Sequence, residues 1–100
     1  MNFENKKFLP VGTVVLLKNG KKKVMVNGFL SYDAKEQNKV YDYTGCFFPE
    51  GIIASDKIFF FNHDQIEKIY YFGCYDKESQ ALNEKLLKAQ KDLAINNQSN

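Results

Sequence analysis

The chain of 100 residues has no arginine, no tryptophan, a single histidine, two cysteines and two prolines. Without arginine there is no bidentate guanidinium fork, the group best suited to gripping phosphates or reading guanine edges; all 14 basic residues are lysine. The formal charge of +2 is too small to raise a general field toward nucleic acid or an anionic membrane. Cys46 and Cys74 cannot make a disulfide framework. In a reducing compartment they read as small buried hydrophobes, with one bridge the lesser alternative. The opening MNFENKKFL has an early acid and no long apolar run, so it reads as neither a secretory signal nor a membrane span, and a cytoplasmic location is expected.

What the chain does have is rings. Nine Phe and six Tyr make 15% of it, within a hydrophobic content of 44%, and such side chains carry large buried areas in cores and interfaces alike. At this length one domain, residues 1–100, is expected, because a chain of this size buries only about two thirds of its unfolded surface. No internal repeat is visible, and the closing INNQSN reads as a frayed tail over 96–100.

The strongest local signal is VGTVVLLKNGKKKVMVNGFL, in which Asn19-Gly20 separates two β-rich runs. The pattern predicts a hairpin of residues 13–18 with 21–29 around a type I′ turn. In the second arm Val24, Val26, Gly28 and Leu30 share one parity, expected to face the core, and Gly28 marks a bend or bulge. A polar loop DAKEQN follows at 33–38, then a third strand from Lys39 into Phe47. Pro49-Glu50-Gly51 should end that strand in a turn, and Ser55-Asp56-Lys57 turns the chain again before KIFFF at 57–61. Asn62 is placed to cap a short helical turn before IEKIYYFG at 66–73. After Gly73 the period changes. Asp76 is the expected N-cap of a helix over about 77–95, with Leu82, Leu86, Ala89 and Leu93 on its apolar seam. The expected fold is α+β: a small, strongly bent antiparallel sheet, or SH3-like partly open barrel, of about five strands over about 9–74, with one C-terminal helix.

The residues that could carry chemistry have generic spacing. Cys46 could be activated by His63 and oriented by Asp42 or Asp64, but its apolar neighbours raise a thiol pKa, so the structural reading outweighs the catalytic one. Cys46, His63 and Cys74 lack the short paired spacing of a zinc knuckle. No phosphate-binding glycine loop occurs. We therefore expect no catalytic residues, no metal and no cofactor. Lys21-Lys22-Lys23 is the one basic cluster, near rings able to stack bases, although a charge run at a turn is more simply solvated. Along YDYTGCFFPEGI, Tyr41 and Tyr43 fall on one face, either as interface rings or as core; residues alone leave both open.

In order, LPVGTVVLLKNGKKKVMVNG, YDYTGCFFPEGI and FNHDQIEKIYYFGCYD resemble the domain of unknown function 4176 family, small bacterial proteins encoded beside type VII secretion toxin loci of Gram-positive bacteria. The resemblance covers roughly residues 9 to 76 and rests on Leu9, Pro10 and Gly12, on Tyr41, Asp42, Tyr43 and Gly45, on Pro49, Glu50 and Gly51, and on Phe61, Asn62, His63 and Ile66. It implies a non-enzymatic cytoplasmic accessory, a chaperone or targeting partner of a secreted LXG-type toxin or of another type VII secretion component, with no membrane partner. On that reading Tyr41, Asp42, Tyr43, Glu50, Asn62 and His63 are candidate protein-binding residues. The alternatives are an SH3-like nucleic-acid-binding module, which the charge disfavours, and a small Cys-dependent enzyme.

Overall fold

Five short strands and one long helix make up the chain: β1 (Val14–Leu17), β2 (Val24–Ser31), β3 (Tyr41–Phe47), β4 (Phe59–Phe61), a 3-10 turn (His63–Gln65), β5 (Ile66–Tyr71) and α1 (Lys77–Gln98). They are seen in a computed structural model that describes residues 8–32 and 39–98, with side chains through Leu93. The strands form one antiparallel sheet in the order β4-β3-β2-β1-β5. It is not closed, and β4 and β5 are its edges. This is the expected α+β architecture. The expected loop at 33–38 and the opening residues 1–7 lie outside the described residues.

The first hairpin departs from the type I′ expectation. β1 pairs with β2 only at Val14↔Met25 and Val15↔Val24, because Leu16 and Leu17 swing to β5, opposite Lys68 and Ile66. One short strand thus serves two neighbours, and the connection to β2 widens to residues 16–23. Asn19 takes the positive φ, +66°, while Gly20 does not, and the Gly20 N–H closes the turn on the Leu17 carbonyl at 2.9 Å. A tight two-residue loop would need Lys18 to pair with Lys21; instead the Lys18 N–H donates to the Gln65 carbonyl at 2.8 Å.

The bend in β2 falls where Gly28 marks it. The register with β3 steps from Val26↔Gly45 to Gly28↔Thr44, so Asn27 is the extra residue of a bulge. A Cβ on Gly28 would stand 2.5 Å from Thr44 Oγ1, so only glycine fits there. Beyond the bulge Phe29, expected on the outer face, packs on the core, and Leu30 packs there as expected. That core is Phe8, Leu9, Val15, Val24, Val26, Tyr43, Phe61 and Ile66. A fully buried aliphatic side chain of this kind stabilises by about 1.5–3 kcal/mol.

The remaining turns follow their residues. Gly51 has φ +82° and donates to the Phe47 carbonyl at 2.8 Å, ending β3 as expected. Lys57 N–H bonds the Ala54 carbonyl at 3.0 Å, and the strand after it begins at Phe59 rather than at Lys57. Asp76 caps α1, its Oδ1 accepting the Ser79 N–H at 2.9 Å. The helix runs on to Gln98, so 96–98, expected to fray, are helical, and 99–100 lie outside the described residues.

The buried face of α1 keeps Leu86, Ala89 and Leu93 of the expected seam at least partly buried but leaves Leu82 out of it. Leu82 is 43% exposed, whereas Asn83 is 6% exposed, and Leu86 and Leu87 pack on the core. The helix is turned so that Asn83, Leu86, Leu87 and Gln90 face the sheet. The reason is polar: buried main-chain and carboxylate groups beneath it need partners, and Asn83 and Gln90 supply them.

Candidate functional site

The residues of the separate sequence blocks meet in one hydrogen-bond network at the end of β3. The Tyr43 hydroxyl accepts the Leu9 N–H at 3.0 Å and lies 2.7 Å from His63 Nδ1. With Leu9 donating, the phenol proton satisfies both partners when it goes to Nδ1, which assigns the imidazole proton to Nε2. Burial pushes the Tyr43 phenol far above its ordinary range, against the lowering effect of the Leu9 N–H and with a smaller raising effect from Asp42. It therefore remains a donor at any physiological pH.

Asp42 holds the next tier. Its Oδ2 accepts the His63 N–H at 2.8 Å, its Oδ1 accepts from Gln90 Nε2 at 2.8 Å, and its own N–H donates to Asn62 Oδ1 at 3.0 Å. Gln65 Oε1 accepts the Asn62 N–H at 2.7 Å, setting the 3-10 turn. Asn83 Oδ1 accepts the Phe8 N–H at 2.8 Å. Four segments are joined this way: 8–9, the start of β3, the turn before β5, and α1. Phe8, Asp42, Tyr43, His63 and Gln90 line a cavity of about 10 Å³, a volume at the lower limit for one water and far below that of a ligand pocket.

The six candidate binding residues do not form one surface. Tyr43 is fully buried, stacked on Phe61 at 5.4 Å and edge-on to Phe8 at 5.8 Å, so its ring belongs to the core and reaches no surface partner. Asp42, Asn62 and His63 are engaged in the network. Tyr41 is half-buried beside Phe60, with the Lys39 ammonium 5.0 Å from its ring centroid. Glu50 is exposed and bridges to Lys22 at 2.8 Å, a contact that lowers its pKa. Tyr41 and Glu50 flank β3 at its opposite ends, about 20 Å apart along the strand. Residue patterns missed Asn83 and Gln90, although both interrupt the apolar side of a helix, the one available sign that they face buried polar groups.

A family model described as Domain of unknown function (DUF4176) matches residues 8–82. The chain belongs to this family. No curated protein and no solved structure gave a match. The region shared with the DUF4176 family contains every block named above and ends at Leu82, so Asn83 and Gln90, which tie the helix to Phe8 and Asp42, follow the matched region.

The alternative chemistries find their residues apart. Cys46 is buried opposite Met25. It lies on the other face of β3 from Tyr43, the strand residue that bonds His63, and about 10 Å along the strand from it. Cys74 is exposed, and both thiols are free. Among the described residues no three His, Cys, Asp or Glu gather as metal ligands, and no helix is long and apolar enough to cross a membrane. A different surface stands out. Tyr70, Tyr71 and Phe72, at the end of the edge strand β5, are 44%, 63% and 45% exposed.

Proposed function

We propose that this protein is a non-enzymatic cytoplasmic accessory of type VII secretion, a chaperone or targeting partner that holds a segment of an LXG-type toxin before export. The sequence resemblance supplies the setting. The geometry that supports it is three exposed rings in succession at a sheet edge, since exposed rings of this kind are favoured at protein contact sites. Membership in the family agrees with the resemblance without adding a role. The site that gathers most of the titratable motif residues has its side chains engaged with one another around a 10 Å³ space, which suits a structural tie better than a substrate pocket.

The candidate residues divide accordingly. Tyr41, half-buried beside Phe60, and Glu50, bridged to Lys22, keep part of their surface exposed, while Asp42, Tyr43, Asn62 and His63 support the fold. The test is export in the native host. Deleting the gene should abolish secretion of the neighbouring toxin, and a tagged copy should co-purify with it. A Tyr71→Ser, Phe72→Ser variant with parental circular dichroism should lose both. Undiminished toxin export from the deletion strain would sink the proposal.

A further inference from the structure

Lys23 and Lys68 converge on one ring. Their ammonium groups stand 4.6 and 4.7 Å from the centroid of Tyr70, one coming from the loop before β2 and the other from β5 itself. Each contact is a cation–π attraction, and each ammonium keeps further donors able to pair with a carboxylate of a partner. Lys18 and Lys21 are exposed in the same loop. Glu50, the acid that reaches this loop, is engaged by Lys22. Glu67 is the exposed acid on β5, next to Lys68. Among the described residues two ammoniums therefore attend Tyr70, and the rings of Tyr71 and Phe72 follow it directly in the chain.

The backbone here favours side-chain recognition over a continued ladder. β5 is bulged twice against β1: its register jumps from Tyr71 to Ile69 opposite Val14 and Val15, leaving Tyr70 as the extra residue, and again from Lys68 to Ile66 opposite Leu16 and Leu17. Bulges twist an edge away from regular strand addition. Nucleic acid is disfavoured as well, since the chain carries only +2 overall and no arginine.

Resting on the reading that this protein holds a polypeptide client, we propose that β5 and the loop before β2 bind an acidic, extended segment of that client. Its carboxylates sit at Lys23 and Lys68, and its apolar side chains lie against Tyr71 and Phe72. Lysine suits this partner because an ammonium is a point charge that pairs with single carboxylates along a flexible chain without demanding a planar fork.

The test uses the full chain labelled with ¹⁵N and three probes: the random copolymer poly(Glu,Tyr), polylysine, and polyuridylate. Poly(Glu,Tyr) should shift the amides of Lys23, Lys68, Tyr70 and Tyr71, bind more weakly as salt rises, and lose at least tenfold in affinity to a Lys23→Gln, Lys68→Gln variant with parental circular dichroism. Polylysine should leave the spectrum unchanged. Absence of poly(Glu,Tyr) binding, or equal binding by the double variant, overturns the site. Tighter binding of polyuridylate at the same amides also overturns it, in favour of nucleic acid. The client assay separates the two readings. A toxin that co-purifies equally with parent and double variant removes this site and leaves the client-holding role intact. Failure of any toxin to co-purify, with poly(Glu,Tyr) still bound at these amides, removes the toxin as client and upholds the acidic-segment site.

Discussion

Replacing Tyr43 with Phe isolates the contribution of one hydroxyl. The ring is kept, with its stack on Phe61, its edge contact to Phe8 and its tilted contact to Phe29, so packing is nearly unchanged. What disappears is the acceptor of the Leu9 N–H and the partner of His63 Nδ1, at 3.0 and 2.7 Å, both in buried surroundings. Leaving a buried donor or acceptor unmet costs about 1–3 kcal/mol. Two are left, while the relieved desolvation of the hydroxyl itself offsets part of that loss. The net expectation is a destabilisation of about 2–3 kcal/mol, a large share of the 5–15 kcal/mol typical of a domain. Urea titration followed by far-UV circular dichroism should show the midpoint falling by roughly 1–2 M, and the melting temperature should drop by about 10–20 °C. Tyr71→Phe is the control, since its side chain is exposed and should change stability by less than about 0.5 kcal/mol. If Tyr43→Phe unfolds within 0.5 kcal/mol of the parent, the hydroxyl is not a tie between the segments and the network argument fails.

Three further outcomes are expected. Asn83→Ala should cost about 1–2 kcal/mol in the same urea titration, because the buried Phe8 N–H loses its acceptor; Leu82→Ala should cost less than about 0.5, inverting the order that hydrophobicity alone predicts. Asp76 has its pKa lowered by the Ser79 N–H it accepts at the start of α1. Its stabilising effect on the helix is therefore present above the usual carboxylate pKa and is lost as pH falls through the depressed one. Helicity measured from pH 5 to 2 should show this loss in the parent and not in Asp76→Asn. At the first turn, Asn19→Gly should be neutral or slightly stabilising and Asn19→Val should cost about 1–2 kcal/mol, since Asn19 holds the positive φ; equal thermal midpoints for the two variants would contradict that geometry.

What was legible in the sequence was local. Asp76 announces its helix because a cap and its N–H partner lie three residues apart. Gly51 announces its turn, and Gly28 its bulge, because a backbone requirement selects the residue at that position. What stayed hidden depends on distant partners. The packing of β2 beyond Asn27 depends on the bulge against β3, which brings Phe29 as well as Leu30 onto the core. The rotation of α1 answers to the Phe8 N–H, 75 residues from Asn83, and no periodicity within the helix encodes that. Tyr41 and Tyr43 share a parity in the strand, yet only the second lies beneath rings brought by Phe8, Phe29 and Phe61. The choice between interface and core was undecidable until those rings were placed.

The network also changes how the motif residues bear on function. A buried polar cluster whose members are tied to one another tolerates little change at any of them, because each loss strands a partner. Asp42, Tyr43, Asn62 and His63 therefore have a sufficient physical reason to occur together without touching a client. Selection of a partner must come from side chains free to vary without unfolding the protein. Those at the β5 edge meet this condition: Lys23, Lys68, Tyr70, Tyr71 and Phe72 are exposed, and changing their charge or apolar area alters the surface while leaving the Tyr43–His63 tie beneath the opposite end of the sheet in place. A client contact at β5 is thus separable by mutation from the fold that presents it, whereas a contact built on Asp42 or His63 would not be.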